Sequence, residues 1–201
     1  MPKQVDHEQR RADIAAAVWR LTVEEGLDAV SMRSVAAAAG VSLGQVQHYF
    51  ASKDDLLLAA VELIGAQFSR RWAAAQPAEP TPRAQIRTYL TQLLPLDEER
   101  MVEAHVGSAF LTRAPHSPQI AEMLRGGFAW ATDLLVAWLE EARVTAGRDA
   151  RRTAQTLLAV VDGLAMHTLV GHHTPAEAEA ALDAHLANLF GASAEPVEDG
   201  T

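Results

Sequence analysis

No stretch of this chain alternates apolar and polar residues with β-branched side chains for the length of a strand, which confines it to helical architectures. Alanine, leucine, glutamate and arginine dominate, and aromatic residues make up only 5%. At 201 residues it can bury a core as one domain or two small ones without covalent staples. None are available, because the chain has no cysteine. Disulfides, Cys-ligated zinc, iron–sulfur clusters and thiol nucleophiles are thereby excluded. The longest charge-free stretch, Ser34 to Ser52, is broken by Gly40, Ser42, Gly44, Gln45, Gln47 and His48. The next, Gly163 to Ala176, is shorter and holds three histidines, so no membrane span is expected. The first eight residues hold no apolar signal region, so a cytoplasmic protein is expected.

Caps and stops divide the chain into nine helical segments. The first runs from an Asp6 cap to Glu25, with Ile14, Val18, Leu21 and Val23 on or near one face, and Gly26 stops it. Ser31 caps a helix to Ala39. Ser42 with Gln45 forms a capping box for a helix to Phe50, and Ser52 caps a longer one to Ala75. Three prolines between Gln76 and Pro82 mark a boundary. Further helices are expected over 82–94, 97–113, 117–146, 149–173 and 175–190, with Ser117-Pro118 and Thr174-Pro175-Glu177 as start signals. Gly191 to Thr201, with three acids, two glycines and a proline, reads as a disordered acidic tail.

The segment Gly40-Val41-Ser42 between two short helices has the spacing of a helix-turn-helix. Glycine permits the left-handed corner, Val41 packs in the angle between the helices, and the second helix is short enough for its first turns to enter a major groove. Val46 and Phe50 share one face of that helix, with Leu43 nearby. Gln45, Gln47, His48 and Tyr49 point elsewhere. Glutamine can pair bidentately with adenine, while Tyr, His and Lys can donate to phosphate oxygens.

On these residues the N-terminal part resembles the DNA-binding domain of TetR-family transcriptional regulators. The resemblance is carried by Gly26-Leu27-Asp28-Ala29-Val30-Ser31-Met32, Val35-Ala36, Ala39-Gly40-Val41-Ser42, Gly44, His48-Tyr49-Phe50 and Ser52-Lys53-Asp54-Asp55-Leu56-Leu57, within Ile14 to Glu62. The run Leu93 to Ala114 is similar to the ligand domain of a BetI-like subset. The resemblance implies an all-α fold: a three-helix helix-turn-helix domain over 1–52, then a C-terminal helical ligand-binding and dimerisation domain over 53–190, with 53–75 as linking helix and 191–201 as tail. It further implies a homodimeric regulator, most simply a repressor, that binds a palindromic double-stranded operator and is released by a small-molecule effector. Its recognition helices would lie about 34–36 Å apart, one turn of DNA. An activator, or a regulator without a ligand, is the alternative. A small helical enzyme is a remote one, since no acid/base or nucleophile constellation stands at recognisable spacing.

Matching positions imply base contacts from Gln45 and Gln47, with Leu43 and Gly44 at the groove surface and Ser42, His48, Tyr49 and Lys53 toward phosphates. Arg33 is a further phosphate or flanking-base candidate. The competing reading for the glutamines and His48 is ordinary exposed helix, and for Tyr49 partial core packing. Lys53 at the first helical position is opposed by the helix dipole, which favours an anionic partner for it. Met32 stands where many family members have a small hydroxyl residue, and Gln47 replaces a frequent aromatic. Charge gives weak support: residues 1–70 hold 7 basic and 9 acidic groups against 10 and 17 in 71–201. DNA affinity is therefore expected from a few placed contacts, not a broad positive field.

Gly40-Val41-Ser42-Leu43-Gly44 matches G-x-S-x-G, but a nucleophile elbow requires a strand leading into the serine, so Ser42 reads as a cap. No two of the eight histidines are spaced i, i+4, and His172-His173 suits the negative end of a helix dipole, so neither a metal site nor a cofactor is expected. Met101, His105, Phe110, Met123, Phe128, Trp130, Trp138, Met166 and His167 are candidates to line an effector pocket, with core packing the competing reading. Leu157, Val161, Leu164, Leu182, His185, Leu186 and Leu189 form apolar stripes on the last two helices and are the candidates for a dimeric four-helix bundle.

Overall fold

The computed structural model describes residues 2–144 and 149–191, in which there are nine α-helices and no strand. They are α1 (Pro2–Glu25), α2 (Met32–Ala39), α3 (Leu43–Tyr49), α4 (Lys53–Ala74), α5 (Pro82–Gln92), α6 (Glu98–Arg113), α7 (Pro118–Glu141), α8 (Ala150–Leu169) and α9 (Pro175–Gly191). No helix among the described residues is long and apolar enough to cross a membrane. The expected tail, apart from Gly191 at the end of α9, lies outside the described residues.

Three helix ends differ from expectation. α1 starts at Pro2, whose missing N–H costs nothing at a first helical position, so Asp6 is interior and not a cap. α7 stops at Glu141, and Arg143 adopts a left-handed φ of 54°; part of the expected run to Ala146 lies outside the described residues. α8 stops at Leu169 instead of His173 because Gly171, at φ 72°, turns the chain back.

By contact the chain divides into two compact units. The first comprises residues 1–70 and 102–125. Its core takes Ile14, Val18 and Leu21 from α1, Val35 and Ala36 from α2, Val46 of α3, Phe50, and Leu56, Leu57 and Ala60 from α4. Val23, at 40% exposure, is left out of that face. Trp19 Nε1 donates to the Ala60 carbonyl at 2.9 Å, fastening α1 to α4. Val106, Phe110 and Ile120 fill the same core. This contact division therefore departs from a boundary at 52/53, because residues far along the chain complete the core beneath the helix-turn-helix. Ser117 meets α7 as expected, but its buried hydroxyl finds no partner, so proline alone shapes that start.

The second unit comprises residues 71–101 and 126–201. Thr81 caps α5 by accepting from the Ala84 N–H at 3.3 Å, and Asp149 caps α8 through the Arg151 N–H at 2.9 Å. Thr174 and Glu177 form the reciprocal box that starts α9, with Thr174 N–H donating to Glu177 Oε2 at 2.8 Å and Glu177 N–H to Thr174 Oγ1 at 3.2 Å. α9 buries Ala178, Leu182, Leu186 and Leu189 and packs on α5 and α8. Across the α5–α9 seam, Arg87 donates to both oxygens of Asp183 at 2.6 and 2.8 Å and to Glu179 at 2.9 Å. That bidentate bond holds the Asp183 carboxyl below the usual carboxylate range, against a smaller opposing effect of burial.

Candidate nucleic-acid interface

The helix-turn-helix is fixed by two local devices. At its corner Gly40 lies at φ 65°, ψ 32°; its N–H reaches the Ala37 carbonyl at 3.1 Å while the Val41 N–H reaches Ala36 at 3.0 Å. This is a Schellman turn, and it brings Val41 over Ala36 and into the core. Ser42 then starts α3 by accepting from the Gln45 N–H at 3.1 Å, but the Gln45 side chain returns no bond to the Ser42 N–H, so the expected capping box is a single cap. The preceding α2 is held by a Ser31/Ser34 capping box and by Arg20, which donates to the Ala38 carbonyl at 2.7 Å. Ser52 likewise accepts from the Asp55 N–H at 3.1 Å to start α4.

These devices set one face of α3 inward and leave the rest uncovered. Val46 and Phe50 are fully buried, whereas Gly44, Gln47 and His48 are exposed and Leu43 and Gln45 half-buried. Ser42 and Arg33 are exposed, and Lys53 and Tyr49 half-buried. Among the described residues, the side-chain amides of Gln45 and Gln47, the Tyr49 hydroxyl, the Arg33 guanidinium and the Lys53 ammonium make no hydrogen bond or ion pair within the chain. Around Gly44 an added Cβ would meet nothing nearer than Ser42 Oγ at 4.0 Å. The fold thus tolerates a side chain there, and a helical glycine costs about 0.5–1 kcal/mol relative to alanine.

One participant escapes the sequence reading. His7 on α1 lies against Tyr49 at 4.4 Å between ring centroids, and His48 stands at 5.3 Å from Tyr49 and 6.1 Å from His7. The three rings form an aromatic group at the C-terminal end of α3. His7 falls in the first turn of the helix expected from Asp6, but no local pattern shows that α1 passes the end of α3 there. Arg11, one turn further along α1, sits over the Phe50 ring at 5.4 Å and pairs with Glu62 at 3.1 Å.

Residues 14–60 match the pattern of bacterial regulatory proteins of the tetR family, and residues 82–191 match the C-terminal domain of BetI-type transcriptional repressors. The chain belongs to the TetR family of transcriptional regulators. It is 35% identical over 173 residues to the HTH-type transcriptional regulator PksA of Bacillus subtilis (strain 168), over 85% of this chain and 83% of that protein. A transcriptional regulator crystallised from Rhodococcus sp. Rha1 is 34% identical, with a TM-score of 0.82 over 92% of this chain and 99% of that one. A regulator from Saccharomonospora viridis, crystallised in complex with choline, shares the fold at 21% identity and a TM-score of 0.80, over 89% of this chain and 96% of its own. These relatives are regulators and not enzymes, and this TetR-family chain is a transcriptional regulator as well.

The C-terminal candidates of this TetR-family chain are divided between the two units. Phe110 is fully buried in the core of the first unit, where Met123 is half-buried and His105 exposed. In the second unit Met101 is half-buried, while Trp130, Met166 and His167 lie at the surface. Phe128 lines an open groove of about 480 Å³ between α7 and α8 with Thr132, Arg151, Gln155, Leu158 and Asp162. Burial pushes the Asp162 carboxyl up from its ordinary value. Trp130 and Trp138 instead join Trp72 and Tyr89 in an edge-packed aromatic cluster, with centroids 5.5 to 6.2 Å apart. Burial there pushes the Tyr89 hydroxyl up to about 12. Trp72 and Tyr89 were not foreseen, because they sit on different helices with no local periodicity linking them.

The dimerisation candidates divide similarly. Leu157, Val161, Leu182 and Leu186 are at most 2% exposed and Leu189 8%, so they have little area left to lose to a partner. Their stripes are consumed by the subunit's own packing. Leu164 and His185 are half-buried.

Proposed function

We propose that this TetR-family regulator is a ligand-released repressor that binds a palindromic operator as a homodimer in the cytoplasm. The observation that carries the DNA-binding part is the unpartnered polar set on and beside α3, held on a helix whose other face is locked into the core. Gln45 and Gln47 would read base edges, with Leu43 and Gly44 at the groove surface. Ser42, His48, Tyr49, Lys53 and Arg33 would reach phosphates or flanking bases. His7, by steadying Tyr49, would act as a positioning residue.

The dimer would form through the exposed faces of α8 and α9, in place of the stripes already buried. On α8 these are Ala159, Gly163 and Met166, and on α9 Ala180, Ala181, Ala184 and Ala187. Small side chains let helices approach closely, and nothing lies within 4 Å of a Cβ built on Gly163. The effector would be a small organic molecule bound in the C-terminal region, as choline is in the structural neighbour from Saccharomonospora viridis. By tilting α4 it would carry the recognition helices off the spacing of one DNA turn. Such coupling is reciprocal, so operator DNA would weaken effector binding by the same factor.

Selection of bound duplexes from a random pool by the purified dimer tests this reading. Enrichment of a palindrome is the expected result, and a panel of small molecules, choline included, is then screened for release of the selected duplex. A folded dimer that enriches no sequence at low salt would overturn it.

A further inference from the structure

A second Schellman turn in this chain carries different chemistry from the first. At Gly171 the Gly171 N–H reaches the Thr168 carbonyl at 3.0 Å and the His172 N–H reaches His167 at 2.9 Å, the same pair of bonds that Gly40 organises. Such a turn stacks the residue after the glycine on the residue five before it, and that pair is ordinarily apolar, as Ala36 and Val41 are at the other corner. Here the pair is His167 and His172, and His173 follows, its N–H also directed at the His167 carbonyl at 3.3 Å. The ring centroids lie 5.3, 5.4 and 4.6 Å apart, and one nitrogen from each ring lies within 4.8 Å of the other two. His167 and His172 are exposed and His173 half-buried.

Three imidazole nitrogens around one tetrahedral ion at 2.0–2.1 Å stand roughly 3.3 Å from each other. Small rotations of these side chains close the difference, since the backbone has already brought all three to one corner. Imidazole ligands suit zinc and its d-block neighbours and not magnesium or calcium. The Glu177 carboxylate, fixed by Thr174 in the turn that follows His173, adds an anion at the start of α9.

We propose that His167, His172 and His173 form a binding site for a divalent transition-metal cation of the zinc type, with a fourth position open to water. The ion would tie the end of α8 to the turn that leads into α9. The inference rests on this corner alone and is independent of the DNA-binding reading.

The test uses tag-free, full-length protein stripped with a chelator and returned to chelator-free buffer, titrated calorimetrically with Zn2+ alone. One ion per chain is expected, bound at micromolar dissociation constant or tighter, with a rise in Tm. His172→Ala and His173→Ala should each weaken binding at least tenfold and abolish the Tm rise, with an unchanged circular dichroism spectrum. His116→Ala, remote from the corner in sequence, should leave binding unchanged, and Mg2+ should not bind. Retained zinc affinity in His172→Ala, a stoichiometry well below one, or equal loss in His116→Ala would overturn the proposal.

Discussion

Gly44 poses a direct conflict between stability and recognition at the scale of one residue. It sits in the first turn of α3 with ordinary helical geometry and open space around it, so its own fold gives no reason to avoid a side chain. Gly44→Ala should therefore raise stability by about 0.5–1 kcal/mol, measured by urea denaturation. The same change should weaken DNA binding, because a methyl group would stand between α3 and the groove wall. If the variant is more stable and binds as tightly as the wild type, close approach at this position is wrong. Ser42 and Gly40 were legible in the sequence because a cap and a left-handed corner are both local. His7 was not, because its role depends on where α1 passes α3.

At the scale of elements, the α5–α9 seam makes a prediction with a defined sign. Asp183 has its carboxyl lowered below its ordinary value of 3.8 by Arg87, so its contribution to stability is present above that pH and is lost as pH falls through the lower folded value. Asp183→Asn should lower stability at neutral pH by about 1 kcal/mol or less, since the side chain is 44% exposed and screened by solvent. It should also flatten the acid limb of a Tm-against-pH curve below pH 3.8. An unchanged acid limb would show that the Arg87–Asp183 pair contributes nothing. The start of α9 was readable from Thr174-Pro175-Glu177, whose capping box formed as the sequence indicated, whereas the Thr81 cap of α5 was not singled out in the sequence. The sequence did not reveal which apolar stripe meets which. Leu157 and Leu182 have the periodicity of a buried face whether the neighbour is the same chain or another, and Phe110 reads alike as pocket wall and as core. Gly171 lies within a charge-free, apolar-leaning run, which hid the end of α8 and the return of His172 toward His167.

For the whole molecule, the proposed assembly places the dimer on surfaces that the subunit leaves uncovered. Ala184→Arg puts a charge on the exposed face of α9 without disturbing the buried Leu182 and Leu186. It should leave the helical content intact while shifting the solution mass toward one chain, read by light scattering. A variant that stays dimeric would move the interface elsewhere. Loss of the dimer should also cost most of the operator affinity, because each half-site alone offers a few phosphate and base contacts and the N-terminal 70 residues carry no net positive charge.

Base reading by α3 would run through Gln45. The decisive comparison is the affinity of wild type and Gln45→Ala for the selected duplex and for its single-base variants at one fixed salt concentration. Gln45→Ala should lose discrimination at one position in each half-site, by about 1–3 kcal/mol per contact, and keep it elsewhere. A uniform loss across all duplexes, or none at all, would contradict base reading by this residue.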